Sequence, residues 1–524
     1  MTPNTPLTEL DADALSRAIH AREVSCREVM RAYLARIQAL NPRLNALVNL
    51  AADDVLLAQA DARDADLAPA RSAHGSRGWL HGIPQAIKDT GHAAGFPTTL
   101  GCTLLKDAVS TQDSVMTARM KAAGCIVVAK TNMPEFGLGS HTFNNLFGAT
   151  PNAWDASVSA GGSSGGAAVA LAHRLLPVAD GSDFMGSLRN PAAWNHVFGL
   201  RPSQGRVPYW PAADVWVSQL GTEGPMARNV RDLAKLLSIQ AGYDAHAPLS
   251  ISQAPQDFLA QGSARPLGGK DGGTGGGTGG GKGGGMGGGM RGLRIAWLAD
   301  LDGYLAMEAG LLPVCEQALQ RFASQGAIVE PTPLGFSKES LWNAWLIWRR
   351  ALVGPRVAPL LQRPGAREQV KPEALWEHDQ ALSLSFNDFM KASEVRTAFH
   401  THLLAMFERF DVLALPVTQV WPFPVGERWP TQIAGRSMDT YHRWMEVTIY
   451  ATFAGLPGIS LPAGFHANGR WPAGLQLIGR PQGDGELLRL AAGYEALIGD
   501  LLARRAPFPV AASAGTGPTP PPSD

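Results

Sequence analysis

GGSSGGAAVALAHRLLPVADGSDFMGSLRNPAAWNHVFGLRPS, residues 161–203, is built largely from glycine, serine, alanine and other small residues. Within it, AAVALAH is typical of a helix, and LLPVAD is typical of a strand that leads into the turn GSDFMGS. Small residues at this density let backbones approach one another or a ligand closely. The stretch therefore predicts a helix and a strand around two serine-rich turns, where we expect the chemistry.

Strand and helix signals alternate on both sides of this stretch. Before it, GIPQAIKDT (82–90) and CIVVAK (125–130) are short apolar runs typical of strands. After it, a strand–helix–strand rhythm covers 293–331, and helices are predicted near 338–353 and 380–409. The strand-like runs that follow are DVLALPVT, GISLPAG and AGLQLIG. This rhythm predicts a single large α/β domain whose mixed central sheet carries helices on both faces.

The N-terminal residues predict two amphipathic helices. In the second, Val29, Tyr33 and Ile37 recur at helical spacing, and we expect Asn41-Pro42 to end it. No basic segment followed by an apolar core precedes these helices, and no window approaches the ~20 apolar residues of a membrane span. We therefore expect a cytoplasmic protein.

Composition excludes several classes of partner and site. Lys+Arg and Asp+Glu are both 45, so the formal net charge is zero and nothing attracts nucleic acid or an anionic membrane in bulk. The four cysteines show no C-x-x-C spacing, and no H-E-x-x-H or similar metal spacing occurs. We expect free, buried thiols, no metal and no cofactor.

Lys88, Ser163 and Ser187 stand out against this background. Taken singly, a glycine-serine turn is usually only a turn, and a lysine at a strand end is usually solvated. Taken together, residues 161–203 resemble the central motif of the amidase signature family, and GIPQAIKD resembles the lysine segment of that family. The other similar blocks are VVAKTNMPEFG, GTEGPMARNVRDLA, DVLALPVT and GLPGISLPAGF…GLQLIGRP. The resemblance implies the amidase signature fold and amide hydrolysis.

The resemblance also implies a role for each residue. Ser187 corresponds to the nucleophile, Ser163 to a second catalytic serine preceded by a cis peptide at Gly162, and Lys88 to the base. The backbone N–H groups of Phe184, Met185 and Gly186, with that of Ser187, correspond to the oxyanion hole. The supporting residues that it implies are Gly162, Ser164, Asp183 and Arg189.

The chemistry explains why a lysine in this set must be buried. A serine hydroxyl is a poor nucleophile until a base takes its proton, and a free lysine with a pKa of about 10.4 is protonated at pH 7. Burial disfavours the charged form and lowers the pKa. We therefore expect a neutral Lys88, with Ser163 relaying the proton of Ser187 to it. Asp89 follows on a strand and is expected to face the opposite side.

One residue departs from the family pattern. Met185 stands where a glycine is common, and a positive φ at that position would cost a methionine about 1–2 kcal/mol. Its bulk is expected to narrow the mouth of the site. With Phe184 and some of the tryptophans at 210–216 and 420–429, it predicts a pocket for a hydrophobic amide.

Several alternatives stay open. The glutamine-hydrolysing subunit of a tRNA amidotransferase belongs to the same family, and a non-catalytic binding protein could share the fold. Residues 161–165 also satisfy G-x-S-x-G, which would suit a Ser-His-Asp α/β-hydrolase esterase if His196, His400 or His442 supplied the base. A strand should precede that motif, and the residues before it are turn-like.

The domain boundaries follow from composition and resemblance. We predict an amidase domain over 1–510, interrupted by a disordered glycine-rich insert at 268–289, and a disordered tail at 511–524. The expected substrate is a small, hydrophobic carboxylic amide, cleaved to an acid and ammonia or an amine through an acyl-enzyme on Ser187. We expect no nucleic-acid or membrane partner, and a homodimer is compatible with the sequence.

Overall fold

The computed structural model describes residues 5–67, 78–253, 258 and 290–507, and the predicted insert and tail lie outside these ranges. Short runs rich in Val, Ile, Leu and Ala form its strands, most of them buried on both faces. The strands are β1 (Leu47–Val48), β2 (Pro84–Lys88), β3 (Ile126–Thr131), β4 (Val178–Asp183), β5 (Phe198–Arg201), β6 (Thr222–Ala227), β7 (Arg294–Trp297), β8 (Ile328–Pro331), β9 (Val412–Pro416), β10 (Gln432–Ile433), β11 (Arg436–Ser437), β12 (Gly458–Phe465) and β13 (Pro472–Ile478).

Among the described residues, eight strands form a mixed sheet in the order β4-β6-β5-β12-β13-β9-β7-β8. The strand β7 pairs in parallel with β8 and β9, whereas the other pairings in this sheet are antiparallel. The strands β1, β3 and β2 make a separate three-stranded sheet, and β2 packs against β4. The predicted mixed sheet is therefore confirmed. The strand β2, which ends at Lys88, lies beside this sheet rather than in it.

Helices surround these sheets. Several begin at a capping side chain, as where Ser25 and Glu28 form a reciprocal capping box. The helices are α1 (Ala12–His20), α2 (Cys26–Leu44), α3 (Asp53–Asp66), α4 (Val115–Ala122), α5 (Gly165–Ala172), α6 (Arg189–Asn195), α7 (Val230–Gln240), α8 (Leu311–Ser324), α9 (Lys338–Leu361), α10 (Pro372–Ala381), α11 (Phe386–Arg409), α12 (Ile449–Phe453), α13 (Asp484–Glu495) and α14 (Gly499–Leu502).

The large sheet is covered on both faces. Along β9, Val412 and Ala414 join one apolar cluster while Leu413 and Leu415 join another, because successive strand residues point to opposite faces. The first cluster includes residues of α2, α7, α8 and α13. The second includes residues of α9, α11 and α12. The prediction of helices on both faces is confirmed.

One predicted helix boundary is wrong. The helix α2 does not end at Asn41-Pro42 but continues to Leu44, with Pro42 in its last turn. It ends where Asn45 takes a left-handed conformation, with φ at 44°, and donates its N–H to the Asn41 carbonyl. Pro42 has no N–H to donate to the carbonyl four residues earlier, and its position confines that loss to the last turn of the helix.

The described cysteines and helices bear on two further expectations. Cys26, Cys102, Cys125 and Cys315 are free and buried, as predicted. Within the described ranges, no helix combines the length and apolarity that a bilayer span requires. No cluster of His, Cys, Asp and Glu side chains suited to a metal ion occurs in that part of the chain either.

Candidate active site

Lys88 ends a fully buried strand among serine oxygens. Its Nζ lies 2.7 Å from Ser163 Oγ, 3.0 Å from Ser164 Oγ and 2.9 Å from Ser182 Oγ. The side chain is only 1% exposed. A buried amine surrounded by hydroxyls can exchange protons with them. None of these three partners of Lys88 Nζ is a carboxylate.

Burial sets the protonation state of this lysine. It lowers the pKa of Lys88 to about 7, and the nearby carboxyl groups of Asp180 and Asp183 only partly oppose that effect on the pKa. Near neutral pH, a large share of the amine is therefore uncharged and able to accept a proton.

The two serine-rich turns lie against each other. The peptide bond between Gly162 and Ser163 is cis, as the family resemblance implies. The Ser164 N–H donates to the Ser187 carbonyl at 3.1 Å, which holds the turn of Ser187 beside that of Ser163. Ser163 and Ser187 are 3% and 7% exposed, so both hydroxyl-bearing residues are shielded from bulk solvent.

Asp183 and Arg189 brace the turn that carries Ser187. The Asp183 carboxylate accepts hydrogen bonds from the Gly186 N–H at 2.8 Å and from Arg189 Nε and Nη2 at 2.9 Å each. Burial by itself would raise the pKa of Asp183, but Arg189 and Arg201 lower that pKa to about 2. The carboxylate therefore stays ionised and keeps the turn in place.

The backbone of this turn accommodates Met185. The positive φ, 81°, falls on Gly186, where an added Cβ would lie 2.6 Å from Thr448 Cγ2, and Met185 is not among the described residues with positive φ. The Gly186 N–H already donates a hydrogen bond to the Asp183 carboxylate, so it is not free to bind another acceptor. Within the described residues, the N–H groups of Met185 and Ser187 make no hydrogen bond.

Ser140 connects both turns from behind. Its Oγ donates to the Gly162 carbonyl at 2.6 Å and accepts from Asn190 Nδ2 at 3.0 Å. Asn190 in turn donates its N–H to the Gly186 carbonyl at 2.7 Å. The residues before Ser163 and those around Ser187 are thus held by one buried hydroxyl.

A buried ion pair stands next to the Ser187 turn. Arg349 Nε contacts Glu377 Oε1 at 2.5 Å, and the Tyr441 hydroxyl bonds both partners at 2.6 Å. The Arg349 guanidinium also lies 5.6 Å from the centre of the Phe184 ring and 3.8 Å, through Nη1, from Met185 Sδ. The helix α9, which carries Arg349, therefore supports the side chains that precede Ser187.

The comparisons with known proteins identify this arrangement. The family model described as Amidase matches residues 28–269 and 291–488. An acylamidase of Rhodococcus erythropolis is 33% identical over 492 residues, which cover 93% of this chain and 95% of the relative. The chain belongs to the amidase signature family. It is an amide-hydrolysing enzyme.

Two further members of the family resemble the chain along its length. A glutamyl-tRNA(Gln) amidotransferase subunit from Ectopseudomonas mendocina (strain ymp) is 32% identical over 486 residues, 92% of this chain and 96% of the relative. The crystal structure of a bacterial aryl acylamidase that belongs to the amidase signature family has a TM-score of 0.83 at 27% identity, covering 94% of this chain and 97% of that one.

In the described part of the chain, the three candidate histidines do not build the alternative Ser-His-Asp site of an α/β-hydrolase. His400 bonds the Ala454 carbonyl, and His196 bonds the Leu501 carbonyl. Both ring nitrogens of His442 are buried without a partner in the described part of the chain. None of these three histidines therefore hydrogen-bonds a serine or a carboxylate among the described residues.

Asp89 does not neutralise Lys88. Its carboxylate accepts hydrogen bonds from the Thr99 and Gly101 N–H groups at 3.1 Å and lies 3.8 Å from Lys130 Nζ. The expectation that Asp89 faces away from Lys88 is confirmed.

The tryptophans are distributed more widely than the pocket hypothesis suggests. Trp429 packs in the same clusters as Phe184. In contrast, Trp421 packs on Leu311, Trp210 stacks on His246, and Trp216 is 64% exposed. We call the residues packed around Phe184 in these two clusters the apolar Phe184 wall; it includes Trp429 but none of these three tryptophans.

Sequence reasoning missed Ser182, Ser140, Asp180 and Glu223. Ser182 contacts Lys88 directly, and its position one residue before Asp183 in the motif was the available signal. Glu223 lies some 40 residues away on a different strand, so only the pairing of β4 with β6 brings it near.

Proposed function

We propose that this enzyme cleaves the C–N bond of a small, hydrophobic carboxylic amide, giving an acid and ammonia or an amine through an acyl-enzyme on Ser187. The observation that carries the proposal is the buried Lys88 amine, 2.7 Å from Ser163 Oγ, with a pKa lowered to about 7. The four free cysteines support a reducing, cytoplasmic setting.

In the proposed acylation, neutral Lys88 takes the proton of Ser163 Oγ while that oxygen takes the proton of Ser187 Oγ. The freed Ser187 oxygen attacks the amide carbon, forming a tetrahedral intermediate. Its collapse breaks the C–N bond, and Lys88 returns the proton through Ser163 to the leaving nitrogen. Water, deprotonated by the same route, then attacks the acyl-enzyme, releases the acid and restores Ser187.

The oxyanion of that intermediate needs preorganised donors. We assign this role first to the N–H groups of Met185 and Ser187, which have no partner within the described residues. The Gly186 N–H already donates to Asp183, and its contribution would be to hold the loop. The role of Phe184 as a further donor stays a prediction.

The preference for a hydrophobic amide rests on Phe184 and its surroundings. Phe184 is half-buried, and its ring centre lies 5.8 Å from that of Trp345. Arg349 is committed to Glu377 and Tyr441, so its charge is already balanced. Two similar proteins are named acylamidase and aryl acylamidase, which agrees with an apolar substituent beside the amide.

A second candidate is glutamine hydrolysis within a tRNA amidotransferase. The similarity to a subunit of such an enzyme, 32% over 92% of this chain, favours it. The apolar Phe184 wall fits it less well, because glutamine carries two charged groups that need polar partners. Glutaminase activity that appears only with added amidotransferase partner subunits would establish this function instead.

The deciding experiment is a panel of aliphatic, aryl and peptide amides, esters and glutamine, assayed with wild type and Ser187→Ala. We expect hydrolysis of hydrophobic amides by wild type, loss in Ser187→Ala, and labelling of Ser187 by a fluorophosphonate. Ser324→Ala, an exposed serine at the end of α8, is the control and should behave as wild type. Full amidase activity in Ser187→Ala would contradict the proposed nucleophile.

The substrate class is tested by Phe184→Ala. Losing an apolar contact worth about 1.5–3 kcal/mol should raise KM for an aryl amide roughly 10- to 100-fold. The KM for acetamide should change little, because its single methyl group offers little apolar surface to bury. The control is Phe386→Ala, whose side chain is 74% exposed. Equal changes for both substrates would refute the apolar pocket.

A further inference from the structure

The strands β4 and β6 present three polar residues on the face turned toward Lys88. In their antiparallel register, Ser182 stands opposite Glu223 and Asp180 stands opposite Pro225. Opposed residues, and residues two apart on one strand, share a face of the sheet. Because Ser182 Oγ lies 2.9 Å from Lys88 Nζ, the shared face that also carries Asp180 and Glu223 is the one beneath the lysine.

Both carboxyl groups are buried and incompletely paired. Asp180 is 0% exposed and Glu223 is 2% exposed. One oxygen of Asp180 accepts the backbone N–H of Lys88 at 3.1 Å. The other Asp180 oxygen, Oδ1, and Glu223 Oε2 have no hydrogen-bond partner among the described residues. Buried oxygens of this kind are unfavourable for stability, which calls for an explanation.

The other charged groups around Lys88 each have a partner outside the pair of Asp180 and Glu223, although the Lys130 charge also opposes the rise in the pKa of both carboxyl groups. On β3, Lys130 lies 3.8 Å from Asp89 and bonds the Gly91 carbonyl at 2.5 Å. At the end of β4, Asp183 is held by Arg189 at 2.9 Å and lies 3.7 Å from Arg201. Asp180 and Glu223 are therefore the carboxyl groups of this cluster that can respond to a change of charge on Lys88.

We propose that Asp180 and Glu223 are positioning residues that stabilise the ammonium form of Lys88 while it holds the proton received from Ser187 through Ser163. This inference rests on the proposed function. A dry site makes a new positive charge costly, and a negative charge fixed nearby offsets that cost without reorganisation. The unpaired Asp180 oxygen is then explained by the charge that this carboxylate supplies during each turnover, and Glu223 adds its charge where the pH is high enough to ionise it.

The ionisation of the pair agrees with this role. Burial raises the pKa of Asp180 to about 6 and, with the charge of Asp180, raises the pKa of Glu223 to about 8. Asp180 is therefore mostly ionised at neutral pH, and Glu223 mostly protonated. Asp180 should exert the larger effect near pH 7, and Glu223 should contribute more as the pH rises.

A purely structural role would leave the pH dependence unchanged, so the test is the pH profile of kcat/KM. Asp180→Asn keeps an acceptor for the Lys88 N–H but removes the charge. Without that charge the ammonium form of Lys88 is less favoured, so the pKa of Lys88 falls. The ascending limb of the kcat/KM profile should therefore move to lower pH by about 1 unit. A base weakened by 1 pKa unit should also lower the plateau, by up to about tenfold.

Glu223→Gln is the second variant, because it disturbs no backbone hydrogen bond described above. It should move the limb in the same direction by less. Asp232→Asn is the control: this buried aspartate on α7 accepts the Ala12 and Asp13 N–H groups of α1, so its loss should lower stability and leave the limb in place. A limb unmoved in folded Asp180→Asn and Glu223→Gln would overturn the proposal.

Labelling of Ser187 by a fluorophosphonate separates this inference from the proposed function. The labelling rate should follow the same ascending limb, whichever amide the enzyme cleaves. If wild type hydrolyses amides but the variants keep the wild-type limb in both assays, the inference fails alone. If no amide is hydrolysed while the labelling limb shifts in the variants, the proposed function fails and the role of the carboxyl pair stands.

Discussion

Lys88 is the residue on which the proposed chemistry depends. Lys88→Ala removes the base and should lower kcat by roughly 100- to 10,000-fold, the usual contribution of general acid–base catalysis. Lys88→Arg is the sharper comparison, because arginine keeps a positive charge at every pH of interest and cannot accept a proton. Substantial activity in Lys88→Arg, measured on any amide that wild type cleaves, would contradict the base role.

The pH dependence of wild type follows from the same residue. In the proposed mechanism the active form carries a neutral amine, and burial lowers the pKa of Lys88 to about 7. Activity should therefore be low when the lysine is protonated, rise through neutral pH, and level off above the lysine pKa. A kcat/KM profile with its midpoint near the pKa of an exposed lysine would show that the amine is not desolvated in the working enzyme.

At the residue level the sequence predicted a good part of the candidate site. Lys88, Ser163 and the Ser187 turn were recognisable because each sits in a contiguous block similar to the family pattern. Ser182 and Glu223 were not, because their importance arises from strand alternation and cross-strand pairing, which place side chains from separate segments on one face. Sequence spacing does not reveal which strand becomes the neighbour of which.

Among the helices, α9 and α10 are connected by the ion pair behind the Ser187 turn. Glu377 on α10 is 0% exposed and Arg349 on α9 is 2% exposed. Glu377→Ala leaves a buried guanidinium without its counter-charge, which should lower the free energy of unfolding by about 3–5 kcal/mol. Because Arg349 also contacts Phe184 and Met185, the KM for hydrophobic amides should change too.

A neighbouring ion pair, between α10 and the segment before it, supplies the control. Asp379 contacts Arg367 at 2.7 Å, and both side chains are about half exposed, at 45% and 51%. Asp379→Ala should cost no more than about 1 kcal/mol, since solvent screens exposed pairs. Urea denaturation of both variants measures the difference. Equal losses for Glu377→Ala and Asp379→Ala would mean that burial does not set the strength of the Arg349 pair.

Local sequence patterns predict the presence of helices and strands better than their boundaries and partners. Apolar runs identified strands such as β3 and β9, since a buried strand needs a continuous hydrophobic stretch. They did not show that β2 and β3 leave the large sheet, because partner choice depends on tertiary packing. The end of α2 was missed because Asn45, rather than the Asn41-Pro42 signal, supplies the left-handed residue that ends the helix.

On the scale of the whole molecule, the two described residues that flank positions 259–289 pack on the same helix. Phe258 and Met290 are 2% and 7% exposed and belong to the main apolar cluster. An added Cβ at Gly485 would lie 3.3 Å from the Phe258 carbonyl oxygen, and one at Gly493 would lie 2.9 Å from Met290 Cε. Both ends therefore pack on α13, about 12 Å apart along its axis.

Because Phe258 and Met290 both pack on α13, we expect the glycine-rich insert between them to be dispensable for catalysis. Deleting residues 268–285 leaves a connection that, even partly extended, spans far more than the separation of its ends. For an unstructured connection, which is what the composition predicts here, shortening by about half changes the closure free energy by only about 0.6 kcal/mol, in the direction of greater stability. We expect unchanged kcat/KM and a slightly higher urea midpoint.

Phe258→Ala is the matched comparison, because it removes a buried side chain that packs on α13 and leaves the length of the connection unchanged. Truncating this buried ring should cost about 3–5 kcal/mol of unfolding free energy. The site should keep its activity wherever the variant remains folded, since Phe258 packs on α13 and Arg206 rather than on the serine-rich turns. If the deletion variant is folded but inactive, residues 268–285 take part in binding substrate or in completing the site. In that case the Lys88, Ser163 and Ser187 arrangement alone would not account for the activity.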